Sequence, residues 1–497
     1  MKLHLDLESV EDYRTFLKIK SLPRYAFHGR EAVVPDEYAS FLGVKPKKSK
    51  ASQYEPIDGL FDYQEAITRL AIRKQKFAVF AQCGLGKSLI LLEFARHVSD
   101  CIRRKECVLI VSPLMVVRQT LAEAARFYGD SLPIVQLRAN EIGKWLKDGN
   151  GKIGITNYEA ITDDLEPGRL AGLILDESSM LKSHYGKWGT KLIELGKGLA
   201  WKLCLTGTPA PNDRIEYANH AVFLDAYPTV NSFLARFFVN RGQTQERWSL
   251  KPHALKPFYI ALSHWCIFLE NPATYGWKDN TANIPPIKVH IHDIDLTDAQ
   301  QALAYKATGS LFSDQPGGIT SRSVLSQLGK GSYRGEDVDS LKPAFIRNLV
   351  DGWSGTENTI IWCLFNREQE LMEKTFPEAA SIKGETAYED RERMVENFKA
   401  GRTKVIISKG KILGLGLNLH VCTRMVFSGL QDSYETYWQC VKRANRIGST
   451  VPLQVHIPVT EIERPMIETV LLKAKRVQAD MEEQEMIFKT TGGCCDI

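Results

Sequence analysis

Short apolar runs alternate with longer amphipathic stretches from about residue 55 to 225. The runs are FAVFA (77–81), CVLIVS (107–112), IGITN (153–157), GLILD (172–176) and KLCLTG (202–207). Their composition and spacing predict strands of a parallel sheet joined by crossover helices. A second series repeats the rhythm at NTIIWCLF (358–365), KVIIS (404–408), RMVFSG (424–429) and PLQVHIPV (452–459). Between the two, residues 226–285 become aromatic and helix-like (SFLARFFVNR, FYIALSHWCIFLE) and end at the Pro-marked NIPPIKV. A Gly/Ser-rich stretch, DQPGGITSRSVLSQLGKGSYRGED, then predicts a second loop-and-helix insertion. The fold class is therefore α/β, with two parallel-sheet domains in tandem. The expected divisions are an accessory segment 1–54, a first domain 55–225, a helical insertion 226–285, a linker with a second insertion 286–340, a second domain 341–475, and a C-terminal helix and tail 476–497. Within the end of the chain, IETVLLKAKRVQADMEEQEMIF has helical periodicity and reads as a brace packing back on the body.

The break in one apolar series carries the first chemistry. FAVFA is followed by QCGLGKS and then by the amphipathic SLILLEFA. Strand, glycine loop and helix in that order are the plan of a phosphate-binding loop. Ala81 stands where the strict pattern has its first glycine, while Gly84 and Gly86 supply a tight turn that points backbone N–H groups inward. The helix adds the positive end of its dipole. In this reading Gly84, Leu85, Gly86, Lys87 and Ser88 cradle a triphosphate, with Lys87 on the terminal phosphates and Ser88 on Mg²⁺.

GLILDESSMLKS (172–183) supplies a partner. Two acids at a strand end are, alone, an ordinary surface turn or helix start. About ninety residues downstream of a phosphate loop, they suit nucleotide hydrolysis: Asp176 would hold Mg²⁺ and Glu177 would orient or deprotonate the attacking water.

Further segments follow in a fixed order: FDYQ before the loop, VLIVSPLMVVRQT (108–120), ITNYEAI (155–161), LTGTPAPN (205–212), ILGLGLNL (412–419) and YWQCVKRANRIG (437–448). Together they resemble the superfamily-two helicase-type ATPases and, among those, the Swi/Snf-type double-stranded-DNA translocases in the compact form carried by phages and prophages. The resemblance covers roughly residues 55–475. It implies two RecA-like domains that use ATP and Mg²⁺. It assigns Gln64 to adenine, Gly416, Asn418 and Gln439 to the nucleotide, and Thr206 and Thr208 to relaying nucleotide state. Arg443 and Arg446 would face the γ-phosphate; helical spacing places both, with Gln439, on one face. It also implies phosphate-centred DNA contacts from Ser112, Pro113, Arg118, Thr156, Tyr158, Lys182, Asn366, Arg367, Lys409 and Lys411. Two positions depart from the family pattern: Ser179 stands where many relatives carry histidine, and Ser449 where they carry glutamine.

Composition adds limits more than direction. Lys and Arg number 64 against 59 acids, a formal charge of +5, which permits a nucleic-acid partner without requiring one. The ten cysteines have no zinc-type spacing and sit mostly in apolar runs, so buried reduced thiols are expected. No apolar run is long enough to span a bilayer, and a cytoplasmic monomer of a bacterial or phage-infected cell is expected, with residues 1–54 open to a protein partner. The leading function is an ATP-dependent motor that translocates on, or remodels, duplex DNA. A strand-separating helicase on forked or branched DNA is the alternative. A nucleic-acid scaffold with a vestigial site and a metabolic kinase explain fewer of the charged residues.

Overall fold

The computed structural model describes residues 1–490 apart from 7, 23–24, 35–37, 40, 45–53, 149–151, 182–186, 212, 243–247, 309–318, 354, 356, 414–417 and 431–433. The chain divides into two units, residues 1–279 with 478–497, and residues 280–477.

The first unit is built on a seven-stranded sheet in the order Cys266–Leu269, Lys76–Ala81, Trp201–Thr206, Leu170–Asp176, Cys107–Ser112, Ile153–Asn157, Ile134–Gln136. Every neighbouring pair is parallel. A parallel sheet is covered on both faces, which is why its strands read as unbroken apolar runs. Along Lys76–Ala81 the side chains divide by pleat: Ala78 and Phe80 enter one core and Phe77, Val79 and Ala81 the other. The segment 226–285 contributes two helices and a small hairpin, and then Cys266–Leu269, the strand that edges the sheet beside Lys76–Ala81.

Residues preceding this sheet form a small module of their own. Strands Lys2–His4, Glu31–Val33 and Ala26–His28 pair antiparallel, and helix Val10–Ser21 closes a core around Ile19, Leu22, Ala32 and Val34. Arg236 ties it to the rest of the first unit by donating to the carbonyls of Leu22 and Lys20 at 2.7 and 2.9 Å.

The second unit has a six-stranded, wholly parallel sheet in the order Ile287–Ile294, Leu453–Thr460, Arg424–Phe427, Thr359–Cys363, Val405–Lys409, Ala380–Ile382. The α/β class with two tandem parallel sheets stands as expected. The terminal helix, Arg464–Thr490, is longer than its apolar periodicity suggested. Its end packs in the first unit, where Phe488 enters the core and Glu485 accepts from the Asn271 N–H at 3.3 Å and the Thr274 hydroxyl at 3.1 Å.

One buried ionic cluster braces the second unit. Glu463 accepts from Lys330 at 2.6 Å, Lys342 at 2.5 Å and the Thr460 hydroxyl at 2.7 Å, and all three charged side chains are buried. Burial alone would raise the pKa of Glu463, but the two lysines outweigh it and hold the carboxyl well below its ordinary 4.5. A depressed folded pKa contributes stability that is present above the unfolded value and is lost as pH falls. Glu463→Gln strands two buried ammonium groups and is expected to destabilise this unit by about 3–5 kcal/mol at pH 7 in urea unfolding. The gap to the parent should narrow only below pH 4.5; an equal gap at all pH values would contradict the assignment.

Among the described residues eight cysteines are free thiols, six of them buried, and Cys83 is half-buried while Cys101 is exposed. Cys494 and Cys495 lie outside the described residues, as does the basic stretch 45–50. No described helix is long and apolar enough to cross a membrane.

Candidate nucleotide site and strand-end network

Parallel strands present all their C-terminal ends at one edge of a sheet. In the first unit four neighbouring strands end in Ala81, Thr206, Asp176 and Ser112. Residues far apart in sequence are therefore delivered to one rim, and their side chains form a connected network.

The phosphate loop leaves the sheet at Ala81. Gly84 and Gly86 both have positive φ, at 96° and 65°. At Gly86 a Cβ would also meet the Gln64 amide nitrogen at 2.2 Å, so any other residue there would have to displace the Gln64 side chain as well as adopt the left-handed conformation. The helix Lys87–Cys101 begins immediately afterwards, with Ser88 in its first turn. Lys87 donates to the carbonyls of Ala81 at 2.8 Å and Gln82 at 3.3 Å, both on its own loop. Leu85 is buried and anchors the loop in the core.

Gln64 stands in the first turn of the helix Asp62–Lys74. Its side-chain oxygen accepts from the Phe61 N–H at 2.9 Å and its amide donates to the Gly86 carbonyl at 3.2 Å. The residue is buried. Gln64 thus shapes the loop from beneath. Tyr63, which the motif reading passed over, does the same by donating to the Leu85 carbonyl at 3.1 Å. The FDYQ segment held that signal, an aromatic hydroxyl one residue before the glutamine.

Asp176 ends its strand buried between polar neighbours. Ser112 Oγ donates to its Oδ2 at 2.9 Å, and the Glu177 N–H to Oδ1 at 3.0 Å. Burial, and then the neighbouring Glu177 charge, push its pKa up to about 6, against the opposing effects of Ser112 and Lys87. Glu177 sits at φ 52°, a conformation that non-glycine residues adopt at a cost. That turn swings its carboxylate toward the next strand, where Thr206 Oγ1 donates to Oε1 at 2.9 Å. Ser179 donates to the same oxygen at a longer 3.4 Å. The Thr208 N–H donates to Thr206 Oγ1 at 3.1 Å, which completes a line Glu177–Thr206–Thr208.

These groups fit Mg²⁺. The donors offered are oxygens, the Asp176 carboxylate and the Ser88 hydroxyl, and no cluster of three metal-ligating acids, histidines or cysteines occurs among the described residues. Mg²⁺ keeps several waters and takes one or two protein ligands plus phosphate oxygens, so a sparse oxygen site suits it. Bound there, it would neutralise charge on the phosphates.

Several residues expected to meet nucleic acid do other work. Ser112 supports Asp176, Thr156 donates to the Leu137 carbonyl at 2.9 Å, and Tyr158 donates to the Asp176 carbonyl at 2.7 Å. All three are buried. With their hydroxyls engaged inside the core, Ser112 and Tyr158 support the acidic strand end and Thr156 holds the Leu137 carbonyl, so these hydroxyls are not presented to a phosphate in this arrangement. Pro113 opens the helix Leu114–Tyr128, and Arg118 lies on that helix's exposed side. Lys182 lies outside the described residues.

In the second unit, Thr359–Cys363 and Val405–Lys409 pair so that Cys363 faces Lys409. This register gathers Asn366, Arg367, Lys409 and Lys411 at one edge, where Lys409 donates to the Asn366 side-chain Oδ1 and Arg367 pairs with Glu370 at 3.0 Å. Gln439 and Arg443 lie one turn apart on the helix Tyr434–Ala444. The helix stops at Ala444, so Arg446 does not continue its face as the spacing suggested; it stands in the turn that follows. Ser449 explains the stop: its hydroxyl donates to the Ala444 carbonyl at 2.6 Å and accepts from the Arg446 N–H at 3.2 Å. Such a side-chain bond competes with helix propagation. The Leu419 N–H donates to the Arg443 carbonyl at 2.9 Å, which holds the exposed Asn418 near that helix end. Gly416 is outside the described residues.

Comparison with known proteins finds two family models in tandem. The SNF2-related domain matches residues 78–334, and the helicase conserved C-terminal domain matches residues 342–448. The Bacillus subtilis (strain 168) protein YwqA, whose name assigns it as an ATP-dependent helicase/translocase, is 23% identical over 423 residues. The alignment covers 76% of this chain and 43% of YwqA, so the chain spans less than half the length of that relative. The Sulfolobus solfataricus SWI2/SNF2 ATPase core, solved in complex with dsDNA, is 17% identical, with 90% of this chain and 99% of that chain covered and a TM-score of 0.39.

Proposed function

The chain belongs to the SNF2-related family, and from that premise we propose that it is an ATP-driven motor that couples hydrolysis to translocation on, or remodelling of, duplex DNA. The observation that carries this reading is the line Glu177–Thr206–Thr208 beside the buried Asp176. A hydrolytic carboxylate joined by hydrogen bonds to a neighbouring strand end can transmit the loss of a γ-phosphate to groups that never touch it. An ATPase that merely hydrolyses has no need of that line.

In this proposal Lys87 and Ser88 hold the phosphates with Mg²⁺, Asp176 completes the metal's ligands, and Glu177 activates water. Gln64 acts by setting the shape of the loop. Arg443 and Arg446 are assigned to transition-state charge. Asn366, Arg367, Lys409, Lys411 and Arg118 are assigned to the DNA backbone, where binding is sequence-tolerant and weakens with salt.

ATPase rates without nucleic acid, with single strands, with duplex and with forked DNA test the reading. Strong stimulation by duplex is expected. Preference for forks with strand release would replace it by a helicase, and absence of turnover throughout would refute both. Arg446→Ala should lower duplex-stimulated kcat by about 10³-fold while leaving nucleotide affinity within a few-fold, by analogy with arginine fingers. A pure affinity loss would contradict the assignment.

A further inference from the structure

The strand Lys76–Ala81 has a second end. Its last residue leads into the phosphate loop; its first, at the opposite end and roughly 16–17 Å away, lines a separate cavity of about 930 Å³. That volume is of the size that encloses small organic ligands. The walls come from the N-terminal module (Tyr25), the segment after the helix Tyr217–Phe223 (Asp225, Tyr227, Pro228) and the helix Val230–Phe237 (Arg236), all within the first unit.

Charge in this cavity is out of balance. Lys76 and, from behind the wall, Lys202 both reach the same Asp225 oxygen, at 2.7 and 2.9 Å. The Arg236 guanidinium gives its two terminal nitrogens to neutral carbonyl oxygens, which leave its charge unmatched. At the rim Lys197 and Glu194 lie 3.6 Å apart and cancel. Among the described residues, Lys76, Lys202 and Arg236 thus bring three positive charges to one inner carboxylate, Asp225, which pairs with the two lysines. Tyr227 adds a second, independent observation. It is 3% exposed, lines the cavity, and its hydroxyl, which faces the Arg236 guanidinium, makes no bond of good hydrogen-bonding geometry among the described residues. A buried hydroxyl without a well-formed bond is costly and marks a place where a ligand atom can bond.

We propose that this cavity is a binding site for a small anionic ring compound, its phosphate or carboxylate held by Arg236, Lys76 and the Tyr227 hydroxyl, its ring held against Tyr25 and Pro228. The site is distinct from the phosphate loop and does not depend on the motor reading. A ligand here would bridge the N-terminal module to the first strand of the ATPase sheet, the position of an effector site.

Calorimetric titration of the full chain with phenyl phosphate, phenylacetate and inorganic phosphate tests this. Saturable binding of phenyl phosphate or phenylacetate is expected, and the stronger of the two identifies the anionic group. Tyr227→Phe removes only the hydroxyl and should leave folding and basal ATPase unchanged while weakening binding about tenfold; Lys76→Met should weaken it further. Binding should survive Lys87→Ala. Lack of saturable binding by both ring probes would overturn the proposal, as would binding that Lys87→Ala abolishes and Tyr227→Phe leaves intact. Inorganic phosphate binding as tightly as phenyl phosphate would overturn recognition of the ring.

Discussion

Glu177→Gln is expected to lower duplex-stimulated ATP turnover by about 10²–10⁴-fold, the usual contribution of a positioned general base. ATP affinity should stay within a few-fold. The substitution preserves volume and leaves a side-chain oxygen that can still accept from Thr206, now at 2.9 Å from Glu177 Oε1. What it removes is the capacity to take a proton from water. The strained backbone at φ 52° also persists, because the Glu177 N–H bond to Asp176 that helps fix it involves no Glu177 side-chain atom. A loss that appears in affinity with kcat intact would mean that Glu177 binds substrate instead of activating water.

Lys87→Ala is the second large effect. The ammonium bridges the carbonyls of Ala81 and Gln82 across its own loop, so it is held in place before any phosphate arrives. Phosphate oxygens are stronger acceptors than these carbonyls, and charge-assisted hydrogen bonds contribute about 1.5–3 kcal/mol. Nucleotide affinity should therefore fall by about 10–100-fold, and turnover should become undetectable. Duplex binding without nucleotide, followed by fluorescence anisotropy, should change little. Loss of DNA binding in this variant and in Glu177→Gln together would mean that the hydrolytic site has been misplaced.

The parts of the proposed site that are local in the chain are the ones legible in the sequence. Lys87 and Ser88 follow a glycine turn, and Asp176 and Glu177 follow an apolar strand, so both groups can be read from a dozen residues each. Side-chain direction is less legible. Ser112, Thr156 and Tyr158 occupy motif positions at or just after strand ends, yet all three are buried, Tyr158 from the turn Tyr158–Ala160, and which neighbour they support depends on strand order. The helical placement of Arg446 differs for another reason: a local bond from Ser449 halts the helix on which the spacing argument relied.

The same division holds for the fold. The central strands were visible because burial on both faces makes them continuous apolar runs. Cys266–Leu269 was hidden inside FYIALSHWCIFLE, whose first part forms the helix Leu255–Ser263. An apolar run buried on every side carries no period that separates helix from strand. Ile134–Gln136 and Ala380–Ile382 are three residues long, too short for any pattern. Ile287–Ile294 alternates over IKVHIH, but at the sheet edge its apolar Val289 and Ile291 stay exposed, so the alternation does not mark a buried face.

The distribution of thiols turns the nucleotide loop into its own reporter. Six of the described cysteines are sealed in the two cores, leaving Cys83 and Cys101 open to reagents. With Cys101, Cys494 and Cys495 changed to serine, an environment-sensitive dye would attach at Cys83 alone. It would then sit within four residues of Lys87, where the proposed site predicts a change in its surroundings as a triphosphate arrives and departs.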